Sequence, residues 1–501
     1  MPVIGDLTGL TAGLPLLALG ASDPGPFDGV RLGAFALLPA AIALILCFLY
    51  KRPLPAIWAG ATVGLLLWGA FTTGGLSELF VWLPYGTLLG LLGLIVTFGL
   101  LLGLWRVNGA AHAFTESISR RFIRGPRSAK VAAWALGVLF FQGGALSAML
   151  VGGVIKPMAD RHKVSHEELA YVIDATASPI SLLIPLNAWP FYVQSFIYIS
   201  GAAFLATTYD RMLFFVQSIP LFFFAMLSVF FTFLLATDRL PFMGKRFRRA
   251  VRRSREQGLL DAPNAQPLAR PLLDEYVVPE GYSARAGEFV VAIVGLVAVL
   301  GVVFWLLGPA WVFFLMPLGL LPGMTVSAFR GLPLKALVRG AGEGVVAVSP
   351  VCLLLAGAVL LGTLSSELGA GHFVSRQLGG SITPILLPAT LFLLSGFLAI
   401  ATGSSWGTFA LVLPFALPLA WAVAVITGAA HPQFFLMICL AASVNGSVFG
   451  DQCSPLSDTT IVSSAASGCD VMDHVRTQWV PSAYAAAFAM VGWTLLAVFA
   501  A

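Results

Sequence analysis

Charge is the scarcest ingredient of this sequence. Asp, Glu, Lys and Arg make up 10% of its 501 residues, against roughly 25% in a soluble domain. That scarcity excludes an ordinary water-soluble fold. The cysteines, Cys47, Cys352, Cys439, Cys453 and Cys469, are odd in number and fall into no paired spacing. A disulfide framework and a cysteine-based zinc or redox motif are excluded on that ground. There is no His-Glu-x-x-His motif and no nucleophile elbow with charge partners. An enzyme is therefore not expected, and no cofactor beyond transported ions. The start has no basic segment, so no cleavable signal is expected. Acids are absent from 239 to 255, where Arg239, Lys245, Arg246, Arg248, Arg249, Arg252, Arg253 and Arg255 stand. That run holds much of the net charge of +5 and reads as a cytoplasmic loop, with no nucleic-acid partner.

What is abundant is apolar sequence. The chain is 58% hydrophobic with a mean hydropathy of +0.91. Many of its runs reach about 20 residues, enough to cross a bilayer core as a helix. A β-barrel would alternate over shorter segments. The fold class is an all-α polytopic membrane protein, with lipid as its surroundings.

Basic residues orient the runs. Lys51 and Arg52 follow a run ending at Tyr50, and the next runs, about 54–72 and 82–105, cross out and back. The second return delivers Arg106, Arg120, Arg121, Arg124, Arg127 and Lys130 to the inside. Residues 131–155 are then followed by Lys156, Arg161 and Lys163, and Gln142-Gly143-Gly144 divides them into apolar halves too short to span. A re-entrant hairpin on the cytoplasmic side satisfies both facts, provided its backbone faces protein or a wet cavity. A broken crossing follows over about 168–200, interrupted at Asp174-Ala175-Thr176-Ala177-Ser178-Pro179-Ile180-Ser181. A return over 212–236 leads into the basic loop, 237–287.

The second half, 288–501, replays this order. Crossings are expected near 288–306, 310–328 and 343–364, then a hairpin over 383–425 with its tip at Thr402-Gly403-Ser404-Ser405. A broken crossing over 433–465 and a last one over 479–500 complete it. Each half, 1–236 and 288–501, thus holds five crossings and one hairpin. Five is odd, so the halves form inverted repeats, with broken helices at the midplane. Ser178-Pro179-Ile180-Ser181 in one half echoes Ser454-Pro455-Leu456-Ser457 in the other. The basic loops are expected in the cytoplasm and both termini outside the cell (inner) membrane.

The densest polar interruption is Gly450-Asp451-Gln452-Cys453-Ser454-Pro455-Leu456-Ser457-Asp458-Thr459-Thr460. Ionisable groups at that depth mark an ion or substrate path. The two hairpin tips and two breaks should converge. Their free carbonyls and hydroxyls suit Na⁺, and their free N–H groups suit a substrate carboxylate. A buried carboxylate can hold Na⁺ or H⁺ but not both, the minimal physics of antiport. Asp458 is the first candidate, then Asp451 and Asp174, with Ser454, Ser457 and Thr459 as ligand hydroxyls. A Na⁺ site is expected at Asp458 and Asp451. Asp458 also reads as the N-cap of a helix starting at Thr459. Thr402, Gly403, Ser404, Ser405, Gln142, Gly143, Gly144, Thr176, Ser178 and Asn187 are candidates for the tips and substrate cavity. Asp470, Asp473 and His474 are a candidate cytoplasmic gate, with Asp470 and His474 four apart on one helical face. The plainer reading of that pair is a solvated, ion-paired cap.

Three blocks resemble the NhaC family of Na⁺/H⁺ antiporters, within a broad ion-transporter superfamily. They are Lys163-Val164-Ser165 through Asp174 to Pro179, Ala401-Thr402-Gly403-Ser404-Ser405-Trp406-Gly407-Thr408-Phe409, and Gly450 through Thr460 to Gly468-Cys469-Asp470 and Asp473-His474-Val475. The resemblance implies a homodimer, two hairpins in a moving transport domain, and alternating access. The chain departs from the family at the first tip, where Gln142-Gly143-Gly144 replaces adjacent acids, and at Gln452, where a histidine is common. The expected activity is Na⁺/H⁺ antiport. The alternative is Na⁺- or H⁺-coupled movement of a small organic acid or amino acid, as in malate/lactate exchange. If the first hairpin is re-entrant, a cysteine introduced by His162→Cys will react with impermeant reagent from the cytoplasmic face. Labelling from outside only would refute the inverted repeat.

Overall fold

The computed structural model describes residues 32–50, 53–71, 85–141, 144–185, 187–199, 202–267, 278–307, 315–369, 373 and 383–500. Among them every regular element is a helix. Gln142 and Gly143 lie outside the described residues.

The first helices are α1 (Leu38–Tyr50), α2 (Pro53–Phe71), α3 (Tyr85–Asn108) and α4 (Ala110–Phe122). A helix pair, α5 (Pro126–Leu139) and α6 (Gly144–Arg161), occupies the expected first hairpin. Its arms are longer than the apolar halves alone, because each continues into its basic flank. The expected broken crossing is three pieces: α7 (His166–Ala175), α8 (Ser178–Leu183) and α9 (Ala188–Gln194). The α7–α8 segment and α9 meet at 53°. The return is α10 (Thr208–Ser218) and α11 (Phe223–Ala236), bent by 49° around Pro220, where a proline ring removes a backbone donor.

The basic stretch is not merely a loop. It holds α12 (Gly244–Gln257), whose Phe247, Ala250 and Ser254 are buried. The second half runs through α13 (Ala286–Leu307), α14 (Leu321–Phe329) and α15 (Leu334–Glu367). The second hairpin is α16 (Leu387–Thr402) and α17 (Ser405–Ile426). By length and composition each of these arms is long enough to cross. The second broken crossing is α18 (Pro432–Cys453) and α19 (Asp458–Ser467), and α20 (Val471–Ala500) is last. Among the described residues five helices are long and apolar enough to span, or seven if each bent pair is one span.

In lipid, helix association relies on close packing rather than on apolar burial, which favours small residues at contacts. Two crossings show this. Gly99 and Gly103 of α3 face Gly340 and Gly344 of α15, so closely that a Cβ on Gly103 would lie 1.9 Å from the Gly340 carbonyl oxygen. Gly446 and Gly450 of α18 face α16, and a Cβ on either would lie 2.2 Å from the oxygen of Phe392 or Gly396 respectively. The second contact fixes the height of Asp451, the residue after Gly450.

A charged clasp holds the start of α7. Ser165 caps α7 and exchanges hydrogen bonds with Glu168 in a capping box, the Ser-x-x-Glu signature of a helix start. Arg253 of α12 lies 2.9 Å from both carboxylate oxygens of Glu167. Arg255 sits 3.1 Å from Glu168, and the buried Lys130 of α5 lies 2.9 Å from the same oxygen. Lys130 also donates to Asp238 and to the Leu235 carbonyl. Burial alone raises the pKa of Asp238, but Lys130 and Arg127 more than offset it and hold that carboxyl below its ordinary 3.8. A group with a lowered folded pKa stabilises the fold above its unfolded value and loses that effect as pH falls through the folded one. The Asp238 contribution is thus complete at neutral pH and disappears only in strong acid.

Glu168 and Lys130 both have fully buried side chains, and breaking such a pair from one side costs about 3 kcal/mol or more. Glu168→Gln is therefore expected to lower the thermal unfolding midpoint of the detergent-solubilised protein clearly. An unchanged midpoint would show that the clasp contributes nothing to stability.

Candidate cation-binding site

Asp451 lies in the last turn of α18, where unpaired carbonyls concentrate negative potential. The carboxylate is buried and is surrounded by hydroxyls. Ser457 Oγ donates to Oδ1 at 2.8 Å, and Ser178 Oγ and Thr459 Oγ1 donate to Oδ2 at 3.1 and 3.3 Å. These groups come from the first break and the second break. Ser405, at the second tip, donates instead to the Ser447 carbonyl at 3.4 Å. The first tip borders them too, since a Cβ on Gly144 would meet Thr459 Cγ2 at 2.4 Å and Ser178 Oγ at 3.2 Å. Among the described residues no Lys, Arg or His forms an ion pair with Asp451 or Asp458.

The second tip is drawn tightly onto the second break. Gly403 ends α16 with φ of +65°, and a Cβ there would sit 2.4 Å from the Leu456 carbonyl oxygen. Only glycine combines that backbone with that approach. Ser454 Oγ donates to the Ile400 carbonyl at 2.8 Å and accepts from Leu456 N at 3.1 Å. Ser404 caps α17, accepting from Gly407 N at 3.1 Å. The hydroxyl of Thr402 is buried and has no hydrogen-bond partner among the described residues.

Several expectations need correction. The N-cap of α19 is Ser457, not Asp458, because Ser457 holds the extended backbone of a cap and accepts from the Thr460 amide. Asp458 is the first helical residue, where an acid complements the helix dipole. Its Oδ1 accepts from Thr459 N at 2.9 Å and its side chain is exposed. It therefore stands beside the hydroxyl cluster rather than inside it. His474 does not pair with Asp470. Asp470 Oδ1 accepts from Met472 N and Asp473 N, the work of a helix cap, and Oδ2 accepts from Gln266 N. His474 turns inward instead, its Nε2 3.2 Å from Oδ2 of the buried Asp174. Asp473 is half-buried on the outer face of α20.

Asn187 and Thr176 do not reach the carboxylates. Asn187 caps α9, accepting from Trp189 N and donating to the carbonyls of Ser181 and Ile184. Thr176 Oγ1 donates to the Val172 carbonyl at 2.6 Å and packs on Gly137. Trp189 sets its ring edge on Trp406, with centroids 5.4 Å apart.

Two hydroxyls outside the expected set belong with Asp174. Thr460 Oγ1 lies 3.3 Å from Oδ2 and Ser463 Oγ 3.4 Å from Oδ1. The signal was available: Thr460, Ser463, Ser464 and Ser467 put hydroxyls at helical spacing along α19.

Comparison with known proteins follows the same lines. Residues 188–498 match the model of the Na⁺/H⁺ antiporter family. An uncharacterized protein of Haemophilus influenzae is 29% identical over 478 residues, 92% of this chain and 90% of that one. The malate-2H(+)/Na(+)-lactate antiporter of Bacillus subtilis is 32% identical over 142 residues, 28% of each chain. Among solved structures, the YdaH transporter of Alcanivorax borkumensis matches with a TM-score of 0.54 at 13% identity, over 92% of this chain and 97% of that one. That last likeness is one of fold alone. The family match covers well over half the sequence, and this chain belongs to the Na⁺/H⁺ antiporter family.

Proposed function

We propose that this secondary transporter exchanges Na⁺ for H⁺ by alternating access, with Asp451 as the charged ligand of the cation. The observation that carries this reading is the Asp451 carboxylate among hydroxyls of Ser178, Ser457 and Thr459, with no cationic side chain among the described residues paired to it. Sodium is a hard cation that takes oxygen ligands, and a single carboxylate with neutral hydroxyls is a donor set of the right kind. The α18 terminus adds negative potential to the same place. An anionic carboxylate at that depth needs a counter-charge. In one half of the cycle Na⁺ supplies it, and in the other a proton held within the same cluster does. Asp458, exposed beside the cluster, is the acid a cation meets first.

The halves 1–236 and 288–501 are read as inverted repeats that rock around this cluster. The protein sits in the inner membrane as a homodimer, with its basic segments in the cytoplasm and both termini outside. A second reading is coupled transport of a small organic acid, favoured by the kinship to an antiporter named for malate and lactate.

Proteoliposomes with an imposed pH gradient, followed by a pH-sensitive dye, test both readings. Sodium is expected to dissipate the gradient, beside lithium and potassium for selectivity. Asp451→Asn should abolish the response, and Asp458→Asn should weaken it about tenfold in apparent affinity, a loss of about 1.4 kcal/mol. Full sodium-driven exchange in Asp451→Asn would refute the assignment. Silence toward all three cations in well-folded protein, with a response to malate or lactate, would establish the organic-acid reading.

A further inference from the structure

Asp174 and His474 form a second ionisable centre that the hydroxyl cage around Asp451 does not use. Both side chains are buried, at 1% and 0% exposure. His474 Nε2 faces Asp174 Oδ2 at 3.2 Å, while Nδ1 is buried with no hydrogen-bond partner among the described residues. Such a ring is poised in a definite way. With Nε2–H donated to the carboxylate, the Nδ1 lone pair is free to take a proton, and Asp174 steadies the resulting imidazolium. Thr460 joins the two centres. Its hydroxyl lies 3.3 Å from Asp174 Oδ2 and 3.3 Å from the backbone carbonyl of Asp451.

The other ionisable groups facing this couple are Tyr171 on α7, Cys453 and Asp451 on α18, and Asp458 on α19. The nearest cationic groups at the start of α7, Arg253, Arg255 and Lys130, are occupied by Glu167 and Glu168. Asp473 and Arg476 follow on α20 and influence each other. The couple is therefore the group in this neighbourhood equipped to accept one proton without losing a partner.

We propose that the Asp174–His474 couple carries the counter-transported proton, at a site separate from Asp451, and that a cation arriving at Asp451 expels it. This rests on the antiport reading above. The step balances: Na⁺ enters the Asp451 cage, the N–H bond at His474 Nδ1 breaks, and the proton leaves to water. The cluster gains one positive charge and loses one. A two-site exchanger differs measurably from a one-site exchanger. If both ions shared Asp451, sodium affinity would fall without limit as pH drops. With separate coupled sites the fall stops once the couple is fully protonated.

The test uses the purified full-length protein in weakly buffered detergent solution. Radioactive sodium reports binding and a pH-sensitive dye reports protons released. Wild type is expected to release protons on binding Na⁺, with an affinity that levels off in acid. His474→Gln should bind Na⁺ within about threefold of wild type, while proton release falls about fivefold or more. Asp174→Asn, which keeps the size of the side chain and removes the carboxylate that steadies the imidazolium, serves as a second variant if the first does not fold, with the same expectation. Proton release at the wild-type ratio in either folded variant would overturn the proposal. Asp451→Asn separates the two ideas, because it should lose Na⁺ binding itself. A wild type that binds no Na⁺ would refute the antiport reading, and the couple's role with it.

Discussion

A carboxylate buried in an apolar protein without a cation beside it is the constraint on which the rest of this structure depends. Leaving water costs an ionised acid many kcal/mol unless other dipoles or charges replace the solvent. At Asp451 that replacement comes from hydroxyls at the starts of two helices, Ser178 of α8 and Ser457 and Thr459 of α19. Neither of those helices could supply it alone, because each is interrupted where its hydroxyl sits. The breaks at Thr176–Ala177, Gly403–Ser404 and Ser454–Ser457 are thus the means by which the chain brings polar groups to one buried point. In lipid such breaks are tolerable only where protein closes over them, and here they close over one another.

Packing keeps the cluster at a definite depth. The Gly446 and Gly450 contact lets α18 lie directly on the backbone of α16, so that Asp451 and the second tip share one rigid base. The first break is held from the other direction. Glu167 and Glu168 anchor the start of α7 to α12 and α5, and Asp174 sits near the other end of the same short helix. The charged clasp and the ionisable couple are opposite ends of one lever, about 10 Å apart at the helical rise.

Much of this was legible in the sequence. Scarce charge and long apolar runs gave the all-helical membrane class, and the breaks at Ser178-Pro179 and Ser454-Pro455 were visible as polar letters in greasy text. The convergence of tips and breaks was also expected, but the sequence ranked Asp458 ahead of Asp451, whereas the carboxylate that the hydroxyls enclose is that of Asp451. What could not be read was direction. Asp470 and His474 are four apart and look like a surface pair, yet His474 faces inward, because Asp470 is engaged by backbone amides at the helix start. Asp458 and Ser457 compete for the same cap, and a one-residue difference in where a helix begins decides which side chain faces the cage. The basic run read as a solvated loop because charge alone does not reveal its buried face of Phe247, Ala250 and Ser254. Spacing shows which residues share an element, but only packing shows where each side chain turns.

Ser457 carries a consequence of its own. Its single oxygen caps α19 through the Thr460 amide, donates to Asp451 and touches Thr459 Oγ1 at 2.9 Å. A hydroxyl has one proton and two lone pairs. The Ser457 proton goes to Asp451 and one lone pair to the Thr460 amide, while Thr459 spends its own proton on Asp451. One lone pair of Ser457 is left over, on the same oxygen that starts α19. The helix start and the wall of the cage thus share a single atom.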